Sequence, residues 1–117
     1  DRMYLIDWDA PIFAPKERDL MSIGASLFGG WRTPQEEEEL FYCGYGSTNV
    51  DPVALAYYRY ERIIEDIAVE CEIIFSSDRG QEDRERELGF LISNFLPNST
   101  LEVAYRSDST SLSRADF

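Results

Sequence analysis

The chain has no histidine, one lysine (Lys16), two cysteines and no apolar run approaching membrane-spanning length. Without histidine, the commonest general base and the usual zinc ligand are excluded. Cys43 and Cys71 lie too far apart for a metal knuckle or a redox pair. Cys71 falls on an apolar helix face, where a buried thiol is the expectation. The absence of a long apolar run, and of a basic-then-apolar leader, points to a chain with no membrane partner in a reducing, cytoplasmic setting. Basic residues are also scarce: 11 Lys and Arg stand against 23 Asp and Glu, for a net charge of −12. Such a chain repels phosphate backbones, so nucleic acid is not an expected partner, whereas a cationic small molecule or a basic protein surface is favoured.

What is present suits one small domain. The 117 residues are 44% hydrophobic, enough for a modest core. Met3 to Ile6 reads as a short strand. Residues 7–18 form a loop punctuated by Pro11 and Pro15, and Asp19 can cap a helix from about Leu20 to Phe28, ended by Gly29-Gly30. Thr33-Pro34-Gln35-Glu36 is a capping box with proline at the first helical position. Glu36 to Glu39 then lie at the positive end of the helix dipole, which accounts for the acidic run without a ligand. That helix is expected to end near Cys43.

Asp51-Pro52 opens the longest element. Val53, Tyr57, Tyr60, Ile64, Ile67, Cys71 and Ile74 recur at spacings of three and four, a helical stripe over about 24 residues. A charged, then apolar helix follows from Gln81 to Leu96, stopped by Pro97. Residues 98–117, rich in Ser, Thr and Asp, read as a loosely ordered tail behind a helical unit spanning 1–97. The inventory is one strand and four helices. A lone strand leaves its backbone groups without a ladder, so the 117 residues are expected to be a piece of a larger fold.

The chemistry centres on Leu5-Ile6-Asp7-Trp8-Asp9. Carboxylates at the end of a strand suit a hard divalent cation such as Mg²⁺, which takes oxygen ligands and bridges to phosphates. Three readings compete. In a kinase-like phosphotransferase, a strand-end Asp holds Mg²⁺ on the nucleotide phosphates. In a haloacid-dehalogenase-type phosphatase, Asp-x-Asp supplies nucleophile and acid/base. Here Pro11 stands where that pattern wants Thr or Val, and its later lysine and acidic pair have no counterpart. The third reading is a turn whose Asp side chains cap local amides.

Ile6-Asp7-Trp8-Asp9-Ala10-Pro11, with Ala14-Pro15-Lys16-Glu17-Arg18-Asp19-Leu20, resembles the carboxyl-terminal lobe of the aminoglycoside phosphotransferase family, in its spectinomycin-phosphotransferase-like branch. Gly44-Tyr45-Gly46, Tyr57-Tyr58-Arg59-Tyr60-Glu61-Arg62 and Ile64-Glu65-Asp66-Ile67 continue the resemblance, which covers about residues 3 to 96. It implies a mainly α fold: the carboxyl-terminal helical part of a protein-kinase-like lobe, with one short amino-terminal strand. It implies that Asp7 is the metal-binding aspartate, and that Asp19 opens the next helix and braces the catalytic loop. Asp9 lies one residue beyond the ordinary pattern; it either assists the metal through water or fixes the loop. Trp8 packs.

The departures bear on activity. The family's His-x-Asp and downstream Asn should precede the metal Asp, but the chain has no His and no Asn before Asn49. The nucleotide-binding lysine and its glutamate partner are missing as well. No catalytic residue is therefore expected in this chain. The complete enzyme would use ATP and Mg²⁺ to phosphorylate an aminoglycoside or similar hydroxyl substrate, while the chain alone would be inactive and bind neither tightly. Glu61, Glu65 and Asp66 are candidates by sign for receiving a cationic substrate, against a simpler reading as a solvated helix face. The alternative from another class is a noncatalytic helical association module. With its stripe uncovered, the isolated chain is expected to form a homo-oligomer.

Overall fold

The computed structural model describes residues 2–4, 11–24, 32–76 and 78–115, apart from the side chains of 109–115. The described residues form five helices: α1 (Glu17–Leu20), α2 (Pro34–Tyr45), α3 (Pro52–Phe75), α4 (Gln81–Ser93) and α5 (Thr100–Ala115). α3 is the central element, with α1, α4 and α5 packed against it. The fold is thus mainly helical, as the sequence implies.

Local chemistry sets the starts of α2 and α3. Thr33 accepts from the Glu36 amide at 3.3 Å, and the Glu36 carboxylate accepts from the Thr33 amide at 2.8 Å, closing the capping box. Asp51 accepts from the amides of Val53 and Ala54 at 2.9 and 3.3 Å, with Pro52 in the first turn where its missing N–H costs nothing. α3 runs the full 24 residues expected of it.

Four expectations need correction. Met3 and Tyr4 have no strand partner and are exposed; Leu5 and Ile6 lie outside the described residues. No strand occurs among the described residues. α1 begins at Glu17, so Asp19 lies inside the helix instead of capping it. The turn after it ends at Gly24, and the rest of the expected helix falls outside the described residues.

Residues 100–115 form a helix, where a loose tail was expected. Its inner face is Val103, Ala104 and Ser107, all buried. Small and hydroxylated side chains carry that periodicity, so a count of large apolar residues passes over it. The turn before it is held by Asn94, which also ends α4 before Leu96. Its side-chain oxygen accepts from Thr100 Oγ1 at 2.9 Å, its amide donates to Glu70 at 3.2 Å, and its carbonyl accepts from Ser99 Oγ at 2.6 Å.

The buried face of α3 is Ala56, Arg59 and Ile63, one residue round from the expected Tyr57, Tyr60 and Ile64. Val53, Tyr57 and Ile64 are 63%, 59% and 68% exposed. Small Ala56 is buried on that face, and Arg59 finds acceptors there.

Those acceptors come from three other segments. Arg59 Nε donates to the Met21 carbonyl at 3.0 Å, and one terminal nitrogen donates to the Ile23 carbonyl at 2.6 Å. The other donates to Ser107 Oγ and to the Val103 carbonyl. Glu38 of α2 lies 3.6 Å away as the counter-charge. A buried cation that loses its site leaves orphaned carbonyls and an uncompensated carboxylate. Arg59→Ala is expected to cost about 3 kcal/mol or more. Arg62→Ala, which breaks only an exposed pair with Asp66, should cost less than about 1 kcal/mol. Urea unfolding followed by circular dichroism measures both.

Candidate functional site

The turn from α1 brings two carbonyls, Met21 and Ile23, onto Arg59, and ends at Gly24 with φ +78°. The Gly24 amide donates to Glu37 at 3.2 Å. The positive φ favours glycine here, and a Cβ would come within 2.7 Å of Glu38 Oε1 and so would have to displace that side chain. The loop that follows the candidate metal segment is thereby clamped to the first turns of α2 and the middle of α3.

A groove runs between α2, α3 and α5. It has two lobes of about 470 and 530 Å³ that share Glu38, Val50, Leu55 and Arg59. Arg106 closes one end and Tyr42 lines the other. Burial, reinforced by the negative Glu38, raises the Tyr42 phenol above its ordinary pKa, so the hydroxyl remains a donor. Burial lowers the Arg59 pKa and Glu38 opposes that change. The groove therefore offers hydrogen-bonding groups around an internally neutralised ion pair. Among the described residues no group of three or more His, Cys, Asp or Glu is arranged to hold a metal.

The candidate residues separate. Asp7 and Asp9 lie outside the described residues. Asp19 is exposed on α1. Glu17, two residues earlier, is 4% exposed. It accepts from the Asp51 amide at 2.9 Å and pairs with Lys16 at 3.1 Å, tying α1 to the start of α3. Glu61 accepts from Tyr57 Oη at 3.1 Å, and Glu65 is exposed. Asp66 is on another face, paired with Arg62 at 2.9 Å beside a small cavity of about 170 Å³ with Ile63, Thr100 and Val103 in its wall. The three acids do not converge on one site.

Sequence reasoning missed Glu17, Glu38 and Arg59 as organisers. A signal existed for Arg59: it stands three residues after Ala56 and four before Ile63, in register with a buried face. Nothing local marked Glu17, whose acceptor role depends on a partner 34 residues away.

The Asp51 amide bond is the main reason the Glu17 carboxyl titrates below its ordinary range; burial works against it and Lys16 adds to it. A depressed native pKa stabilises the fold at pH values above the unfolded carboxyl's pKa. That contribution is lost as pH falls through the native value. Glu17→Gln keeps an acceptor for the Asp51 amide but cannot titrate. Its urea midpoint is therefore expected to fall less steeply than that of the parent chain from neutral to acid pH.

No family model and no curated relative matches the chain. Among solved structures it matches the crystal structure of spectinomycin phosphotransferase, APH(9)-Ia, in complex with ADP and spectinomycin. The two are 44% identical, with a TM-score of 0.74 over 90% of this chain. The match takes in 32% of that chain, so the present chain spans about a third of the length of the structure it resembles. The match is consistent with a helical, carboxyl-terminal part of such a protein.

Proposed function

From this kinship with the aminoglycoside phosphotransferases, we propose that the chain supplies the helical carboxyl-terminal part of an ATP-dependent phosphotransferase. The observation that carries the reading is the 44% identity sustained over 90% of the chain with one fold. The acceptor is a hydroxyl of a cationic small molecule of the spectinomycin or aminoglycoside kind. A net charge of −12 favours such a substrate. It also disfavours nucleic acid, and a cytoplasmic setting supplies the ATP.

In this reading Asp7 is the Mg²⁺ ligand, and Asp9 supports it through water or holds its loop. When bound, Mg²⁺ would neutralise charge on the nucleotide phosphates. Asp19 braces the catalytic loop, with Glu17 anchoring the same helix to α3. Glu61, Glu65 and Asp66 contribute negative potential toward the substrate side. Phosphoryl transfer is positioning and electrostatics, and this chain holds neither the His-x-Asp loop nor the nucleotide lysine. Alone it does not turn over, and it covers its apolar surface by self-association.

The test joins this chain behind the part of the spectinomycin phosphotransferase that precedes the match. ADP release with ATP, Mg²⁺ and spectinomycin is then measured for the fused and the isolated chains. Turnover is expected only from the fused chain. Asp7→Asn should lower kcat by orders of magnitude, because an amide removes the charge a direct ligand supplies; Asp9→Asn should cost much less. Equal losses at the two positions would reverse the assignment. Turnover by the isolated chain that disappears in Asp7→Ala would overturn the reading.

A further inference from the structure

α4 is held to α3 largely through polar groups, and no residue of α4 is buried. The partly covered residues of this helix and its end are Asp83, Glu87, Leu91 and Asn94. Their spacing of four, four and three puts them on one face. Two of the four are acids, and α3 meets this face with a third, the partly covered Glu70.

Asn94 is the joint. Its side-chain nitrogen donates to both Glu70 oxygens, at 3.2 and 3.4 Å. Its side-chain oxygen accepts from Thr100 Oγ1 at 2.9 Å, and its carbonyl accepts from Ser99 Oγ at 2.6 Å. One residue thus ties the end of α4 and the start of α5 to a single carboxyl of α3.

That carboxyl has like charges beside it. Asp66 acts on it from one turn earlier on α3, and Glu87, with a side chain 16% exposed, acts on it from α4. Cations on these two helices are engaged: Arg62 pairs with Asp66 at 2.9 Å, and Arg86 pairs with Asp83 at 2.7 Å and lies 3.8 Å from Glu87. On α5, Glu102 and Arg106 pair with each other at 2.8 Å, and Asp108 accepts from Tyr60 Oη at 3.3 Å. The buried acid of α1, Glu17, is bound to the start of α3.

We propose that Glu70 and Asn94 form a pH-sensitive clasp, which holds α4 and the turn into α5 more tightly on α3 when Glu70 is neutral than when it is ionised. A neutral carboxyl keeps a carbonyl oxygen to accept from the Asn94 amide. It also removes the repulsion from Asp66 and Glu87 and the cost of holding a charge partly out of water. An ionised carboxylate would make the stronger bond to Asn94. Burial outweighs that bond and the two acids add to burial, so Glu70 titrates above its ordinary range. A raised native pKa gives stability that is complete below the unfolded carboxyl's pKa and is lost as pH rises through the native value. Glu17 has the opposite sign, and its contribution is lost only below the ordinary carboxyl range. The two windows therefore lie on either side of that range, and in mild acid the Glu70 clasp acts alone of the two.

Amide hydrogen exchange of the dilute chain, followed by mass spectrometry, reads the local opening of α4. Protection factors, corrected for the intrinsic pH dependence of exchange, are compared for residues 81–96 and for residues 36–45 of α2, at about pH 7.5 and about pH 5, still above the ordinary carboxyl value. The protection of α4 relative to α2 is expected to rise about two-fold or more toward acid. In Glu70→Gln, which keeps an acceptor for Asn94 and cannot titrate, the ratio stays level. In Glu87→Gln the rise is smaller, because one of the two repelling charges is gone. A parental ratio that stays level or falls toward acid overturns the proposal. So does a full rise retained in Glu70→Gln, which would place the titrating group elsewhere. If Glu70→Gln does not fold, a Glu87→Gln chain that keeps the whole parental rise overturns it instead.

Discussion

Four segments of this chain meet on one guanidinium. Arg59 sits in the middle of the longest helix and is 7% exposed. It holds the turn after α1 by two carbonyls, α5 by a carbonyl and a hydroxyl, and α2 by the Glu38 carboxylate. The apolar core around it is thin: Leu20, Ile23, Ala56, Ile63, Val103 and Ala104, with no large side chain fully buried among the described residues. In such a core, directional bonds decide where the elements sit, because apolar burial alone is tolerant of sliding. A planar group with five donors in a fixed fork is suited to the task, since each acceptor must arrive at its own angle.

That arrangement explains which features were legible in the sequence. Caps are local chemistry, so Thr33-Pro34-Gln35-Glu36 and Asp51-Pro52 announced α2 and α3 correctly. The face of α3 was misjudged by one residue because its large apolar side chains, Val53, Tyr57 and Ile64, are the exposed ones. Periodicity reports where large apolar residues stand, and here the buried face pairs Ile63 with small Ala56 and charged Arg59. α5 was missed for the complementary reason, since Val103, Ala104 and Ser107 are too small or too polar to register. Of the candidate site, the acidic residues could be listed but not gathered. Glu17 was overlooked because it accepts an amide from a distant helix start, and no local spacing encodes that.

The chain spans about a third of the length of the spectinomycin phosphotransferase structure it resembles. Two sides of the molecule are under different demands. The side organised by Arg59 closes on itself and has its polar groups satisfied; no buried side-chain nitrogen or oxygen among the described residues lacks a partner. The side formed by α4 and the outer face of α3 has apolar residues in water. A closed polar side and an open apolar side thus coexist in one small unit.

The contact between Gly24 and Glu38 has a consequence for how such a sequence can drift. With φ at +78° and the Glu38 carboxylate occupying the space a Cβ would need, a side chain at position 24 must push Glu38 aside. Displaced, Glu38 no longer faces Arg59, and the guanidinium loses its nearby counter-charge. Positions 24, 38 and 59 are therefore coupled across three segments, so the effect of a change at one depends on which residues stand at the other two.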